Sequence, residues 1–351
     1  MLKNNRSKIL FILTLFIAAC ISMIVSSTIG SETIPVSHAG RILLSKLPGM
    51  RNLVDLSAVA QSHIRILEIV RIPRILAAAL VGMALTGSGV VFQGVLRNPL
   101  AEPYILGVSS GAAFGATLTI VFGFQWVFLG MPAISIGAFL GAIITIFFVY
   151  NIANVGMKAS MNTLLLSGIA VSFLLSSLVS MAIALNRDQV ERIVFWTMGS
   201  LSSVRISQVQ VVYIPIVLSI LVFVYFTRDL NALLLGEDDA VSMGIDVNRV
   251  RTILLAVASI ATAFSVSISG IIGFVGLIIP HAMRLIVGPN HKYLLPSSIL
   301  SGAIFLILSD TIARTVIAPG QMPLGVVTAV IGAPYFVFLL YRNNRKSYRG
   351  A

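Results

Sequence analysis

The chain has 351 residues, 57% of them hydrophobic and 10% charged, with a mean hydropathy of +0.99. A soluble domain carries about 25% charge, so this composition excludes a water-soluble enzyme and a disordered chain, neither of which could keep so much apolar surface from water. The excess of 24 basic over 12 acidic residues reads as orientation in a membrane, not as nucleic-acid binding.

At the start, Lys3, Arg6 and Lys8 precede an apolar run from Ile9 to Val25. Ile17-Ala18-Ala19-Cys20 resembles a lipoprotein cleavage site, but the apolar run continues through Ile21, Met23, Ile24 and Val25. That suits an uncleaved first span with its basic end in the cytoplasm. Cys20 is the single cysteine, so neither an intrachain disulfide nor a thiolate metal cluster is expected. His38, His63, His281 and His291 show no ligand spacing, and no cofactor or metal is expected.

Apolar stretches between polar breaks predict spans near 9–29, 72–95, 105–122, 132–152, 162–185, 209–227, 250–269, 271–287, 296–316 and 323–341. The expected fold is an all-α, polytopic bundle of about ten transmembrane helices forming one transmembrane domain, 1–351, with both termini cytoplasmic. Residues 30–70, broken at Pro35 and Pro48-Gly49, read as an extracytoplasmic loop with one or two short helices. Ser265 to Gly276 is rich in Gly and Ser and reads either as a turn or as a broken helix.

Gly107, Gly111 and Gly115 recur every fourth residue, a pattern that lets a neighbouring helix approach closely, and Gly137 and Gly141 repeat it. Gly273, Gly276 and Pro280 form a second packing or pathway cluster, with Pro280-His281 reading as a kink. Arg97-Asn98-Pro99 to Glu102-Pro103 reads as a structural cytoplasmic turn in which Glu102 pairs with Arg97.

Orientation places fourteen of the 24 basic residues on the cytoplasmic side. The other ten include Arg71, Arg74 and Arg314, at the outer boundary where arginine is disfavoured. They call for an anionic partner, with lipid headgroups or internal pairing to Glu68 or Asp310 as the alternatives. Asp310 is the only acid deep in an expected span, and Arg314, four residues on, is its obvious helical partner. Residues 228–249 are too long for a tight turn. Within them Leu233, Leu234 and Leu235, then Gly236, then Glu237, Asp238 and Asp239 read as two short amphipathic helices joined at Gly236 and lying against another protein.

Several phrases occur together: Arg71-Ile72-Pro73-Arg74, Phe92-Gln93-Gly94, Arg97-Asn98-Pro99-Leu100-Ala101-Glu102-Pro103, Trp196-Thr197-Met198-Gly199, Leu233-Leu234-Leu235-Gly236-Glu237, Gly273 to His281, and Pro323 to Pro334. In this order they resemble the permeases that import iron-siderophore chelates, haem and cobalamin through ABC transporters (the FecCD type). The resemblance covers roughly residues 60 to 341. It implies a dimer of two permeases, identical or paralogous, with two cytoplasmic ATPase subunits and an extracytoplasmic binding protein that delivers a metal-chelate cargo. It also implies that Arg71, Arg74 and Arg314 meet glutamates of the binding protein and that 228–249 inserts into a groove of the ATPase. The chain has no Gly-Lys pair, hence no phosphate loop of its own, so ATP hydrolysis is expected on a separate chain. Ferric siderophore is the expected cargo, with haem and cobalamin as alternatives. An ion-coupled secondary transporter is disfavoured by the single buried acid.

Overall fold

The computed structural model describes residue 2 and residues 4–46, 55–57, 59–153 and 161–347. Lys3 and the Pro48-Gly49 break lie outside the described residues. The elements in order are α1 (Asn5–Thr28), α2 (Val36–Ser45), α3 (Gln61–Arg65), a π-helical turn (Ile66–Arg71), α4 (Ile72–Val95), α5 (Val108–Val121), a short hairpin of β1 (Val127–Phe128) and β2 (Met131–Pro132), α6 (Ala133–Ala153), α7 (Met161–Leu185), α8 (Val190–Thr197), α9 (Ile206–Tyr225), α10 (Thr227–Leu235), α11 (Glu237–Ser242), α12 (Val247–Ser269), α13 (Val275–Val287), α14 (His291–Ala313) and α15 (Leu324–Ser347). Among the described residues seven helices are long and apolar enough to cross a membrane, and α5, α13 and residues 324–338 of α15 are shorter apolar helices. These ten coincide with the ten expected spans. The protein is a multi-pass, mostly helical membrane bundle.

Burial orders the bundle. The best apolar window of the segment Gln61–Val95 is 89% buried, whereas that of α1 is 17% buried, so α4 is the central helix and α1 lies at the edge. The centre is built from small residues. A methyl group on Gly82 would stand 2.3 Å from the Gly302 carbonyl oxygen of α14, and one on Gly89 would stand 1.9 Å from that of Gly276 in α13. Such backbone-to-backbone contact maximises dispersion where no hydrophobic drive separates helix from lipid. Ser88 Oγ donates to Ala258 O at 3.0 Å and Gln93 Nε2 donates to Leu277 O at 3.1 Å, tying α4 to α12 and α13.

The glycine stripe works the same way between α5 and α6. A Cβ on Gly111 would meet Gly141 O at 2.6 Å, and one on Gly115 would meet Gly137 O at 2.0 Å. Gly107 departs from the expected stripe: it is the N-cap of α5, in the left-handed region at φ 79, so it starts the helix instead of lining its face.

The Gly/Ser-rich stretch resolves as a break between two helices. The helix α12 ends at Ser269, Gly270 turns the chain at φ 66, and α13 begins at Val275, four residues later than the expected start. Non-helical backbone at membrane depth must be satisfied by protein. Tyr104 does this with one hydroxyl, donating to Ile272 O at 3.0 Å and accepting from Ile272 N at 3.3 Å. Ser200 N donates to Ser269 O at 2.7 Å. Gly273 makes no close approach, since a Cβ there would meet nothing within 4 Å. The other boundary shift is in α14, which starts at His291, five residues before its expected start. Asn290 caps it by accepting from Lys292 N, and Pro296 lies inside the helix, where it has no N–H to donate to the Lys292 carbonyl.

Candidate functional site

The bundle has two chemically different ends. One is formed by the C-terminal end of α1, the N-terminal end of α4 and the C-terminal end of α14, and it gathers the three arginines. Arg74 Nε donates to both carboxylate oxygens of Asp310, at 2.7 and 2.8 Å, and its Nη1 donates to Gln321 Oε1 at 2.7 Å. The partner of Asp310 is therefore chiefly Arg74 from another helix. Arg314, the expected i,i+4 partner, stands farther away, with Nε 3.9 Å from Asp310 Oδ2. Arg314 Nη2 instead donates to the Ser26 carbonyl and, at 2.6 Å, to Ser26 Oγ. Arg71 donates from Nη1 to Ser27 O at 2.8 Å and from Nη2 to the carbonyl of Glu32.

Within the chain all three side chains are buried, Arg71 and Arg74 at 3% exposure and Arg314 at 6%. Glu68 does not pair with them and meets Lys46 at 2.8 Å. Three guanidinium groups set against two carboxylates, Asp310 and Glu32, leave a surplus of one positive charge. Together with Gly30, Ser31, Glu32 and Gln321 they line a cavity of about 210 Å³. Sequence reading named the arginines and Asp310 but not Gln321, Ser26 or Glu32, which carry no charge pattern or motif of their own. A larger cavity of about 450 Å³ adjoins α8, the start of α9 and the C-terminal end of α12. Arg192, Arg205, Trp196, Ser267 and Ser269 help to line it.

The opposite end carries the N-terminus of α1, the C-terminus of α4 and the pair α10–α11. Gly236 separates the two short helices at φ 150 and ψ 161, a conformation that L side chains rarely adopt. In α10, Leu230 and Leu233 are buried, whereas Leu234 is partly exposed and Leu235 is 67% exposed. In α11 the acids Glu237, Asp238 and Asp239 occupy the first turn, where the helix dipole favours negative charge. Ala240 is buried, and Val241 and Met243 are about 60% exposed. The result is an apolar patch of Leu235, Val241 and Met243 beside exposed Asp238 and Asp239.

Glu237 is engaged inside the chain. Arg251 Nη2 donates to its Oε1, and Arg97 Nη2 lies 3.8 Å from the same oxygen. This corrects the expected Arg97–Glu102 pair. Arg97 leaves α4 with φ 48, and its side chain reaches across to α11. Asn98 Oδ1 accepts from Leu100 N at 2.9 Å, closing the turn that contains Pro99. Glu102 forms no salt bridge among the described residues, and burial pushes its carboxyl above the usual range. No group of three His, Cys, Asp or Glu able to hold a metal occurs among the described residues.

A mostly helical bundle with a glycine-packed centre, an arginine cluster at one end and an acidic helix pair at the other is matched by the profile of the FecCD transport family over residues 14–342. The chain belongs to that family. It is 41% identical over 317 residues to the cobalamin import system permease protein BtuC of Halobacterium salinarum, covering 89% of this chain and 84% of that one. It is 37% identical over 290 residues to the hemin transport system permease protein HmuU of Yersinia pestis, covering 79% and 83%. Among solved structures, a metal-chelate type ABC transporter in an inward-facing conformation matches with a TM-score of 0.81 and 33% identity, covering 94% of this chain and 98% of that one. This FecCD chain is thus an ABC importer permease, and the ten apolar helices among the described residues are those of a multi-pass membrane protein.

Proposed function

We propose that this permease passes an iron(III)-siderophore complex from an extracytoplasmic binding protein into the cytoplasm, as one of two permease copies, identical or paralogous, driven by two separate ATPase subunits. The observation that carries the reading is the chemical contrast between the two ends. Surplus positive charge in an arginine-lined cavity suits a carboxylate of a binding protein, since guanidinium groups recognise carboxylates directionally. Exposed Leu235, Val241 and Met243 beside Asp238 and Asp239 suit a protein groove better than an anionic lipid surface, which would repel the acids. In this reading residues 30–70 are extracytoplasmic, both termini and 228–249 are cytoplasmic, and the basic flank at Arg6 and Lys8 agrees with that orientation.

Cobalamin is the second cargo reading, favoured by the 41% identity to a cobalamin permease. The test is uptake by cells whose only permease of this kind is the present chain. They are supplied with its neighbouring binding protein and ATPase and offered radiolabelled ferric hydroxamate or radiolabelled cobalamin. Accumulation of the iron chelate alone supports the first reading, and accumulation of cobalamin alone replaces it. Arg71→Gln is expected to weaken binding-protein affinity while ATPase association is kept. Unchanged affinity in both Arg71→Gln and Arg314→Gln would overturn the docking role.

A further inference from the structure

At the inner end, Asn231 projects from α10 into the first turn of α14. Its Oδ1 accepts from the backbone N of His291 at 2.8 Å and meets His291 Nδ1 at 2.9 Å. Its Nδ2 donates to Asn290 Oδ1 at 3.2 Å, the same oxygen that caps α14 by accepting from Lys292 N at 3.0 Å. The chemistry allows one arrangement of protons. The backbone N–H can only donate, so the Asn231 oxygen must face it, and His291 Nδ1 must then carry the imidazole proton.

His291 Nε2 is consequently a bare lone pair, and it is buried without a partner in a side chain of 0% exposure. It points at the end of α4, where a Cβ on Gly94 would stand 2.9 Å from it and 3.1 Å from Leu230 Cδ2. Glycine at 94 thus admits the ring, and α4, α10 and α14 meet at one node. The same two long helices are joined again at their middle by the Gly82–Gly302 backbone contact and at their far end by Arg74–Asp310. Between node and arginine cluster, α14 runs unbroken for 23 residues, about 35 Å at the helical rise.

We propose that Asn231 is a positioning residue that locks the α10–α11 pair to α14 and α4, so that a push on the pair is delivered as a rigid-body movement to the arginine-lined cavity at the other end. This rests on the reading of α10–α11 as the ATPase contact. A short amphipathic helix held only by apolar side chains can slide over its neighbours. The hydrogen bonds made by Asn231 are directional and fix its register on α14. Coupling between distant sites requires an element that both sites bias, and the α4–α14 pair supplies one.

The test uses the complex assembled with its ATPase in lipid nanodiscs, in a Cys20→Ser background with Ser31→Cys as a reporter in the arginine-lined cavity. The readouts are ATP hydrolysis and the rate of maleimide labelling at position 31 with and without ATP plus vanadate. With Asn231 intact, trapping is expected to change labelling by about tenfold, within the range usual for coupled sites. In Asn231→Ala the ratio falls to near one while hydrolysis persists, Asn231→Asp restores most of it by keeping the acceptor oxygen, and the milder Asn290→Ala gives an intermediate ratio. A ratio preserved in folded Asn231→Ala overturns the proposal. If Asn231→Ala does not fold, a ratio preserved in Asn290→Ala does the same. So does a parallel loss of hydrolysis and labelling change, which marks a structural role only. A parent chain that fails to copurify with the ATPase overturns the reading of α10–α11 itself. A parent complex that hydrolyses ATP with no change at position 31 overturns the rigid linkage alone.

Discussion

The two ends of the bundle treat charge in opposite ways. At the arginine end, Arg71, Arg74, Arg314 and Asp310 are all buried and each is held by partners from other segments. At the α10–α11 end, Asp238 and Asp239 are exposed, and Glu237 shares its two arginines with solvent at 55% side-chain exposure. Removing one member of a buried pair strands a charge, whereas removing an exposed one costs little. The arginine end is therefore part of the folded core, and the acidic end stays at the surface.

The sharpest way to break this contrast is Asp310→Asn. It strands Arg74 and leaves Arg314 without its nearest carboxylate, at an expected cost of about 3–5 kcal/mol, read as a large fall in Tm in nanodiscs. Arg74→Met with Asp310→Leu should recover much of that loss, because it removes both charges together. Failure to recover would show that the carboxylate holds more than its ion pair. Next comes the small-residue centre. Gly115→Val places side-chain atoms where the Gly137 carbonyl stands and should cost about 1–3 kcal/mol by forcing α5 from α6. Tyr104→Phe is expected to cost about 1–3 kcal/mol, because the Ile272 N–H and C=O both lose their partner.

The acidic end gives the smallest effects. Glu237→Gln should change stability by less than about 1 kcal/mol, with even that difference fading as salt rises. Glu102 adds a test by pH. Its folded pKa is raised by burial, so it lowers stability as pH climbs from the ordinary carboxyl range through the folded value, and it is neutral in effect below. Glu102→Gln should therefore match the parent at pH 4 and unfold at a slightly higher temperature at pH 7. An equal difference at both pH values would mean that the carboxyl is not desolvated.

How much of this was legible from the chain varies with the range of the interaction. Ten apolar stretches predicted ten apolar helices because span length is a local property of about 20 residues. Gly236 between a leucine run and three acids announced two short helices, since only the backbone at one residue had to change direction. The i,i+4 spacing of Asp310 and Arg314 pointed to a pair within α14, but Arg74 from α4 took the carboxylate. The same failure moved Arg97 from its chain neighbour Glu102 to the distant Glu237. Local spacing proposes the near partner, and helix packing brings a distant one closer, which at Asp310 is a guanidinium that meets both carboxylate oxygens.

The sequence by itself determined the solvent, the number of apolar helices, the family motifs and the residues that carry charge into an apolar bundle. The tertiary structure alone decided that α4 is the centre, that Tyr104 can serve a broken helix across a separation of 168 residues, and that Asn231 reaches the cap of α14. The physical reason is that hydropathy and helix period act within a span. Hydrogen bonds between helices depend on crossing positions set by glycine contacts, which no single segment encodes.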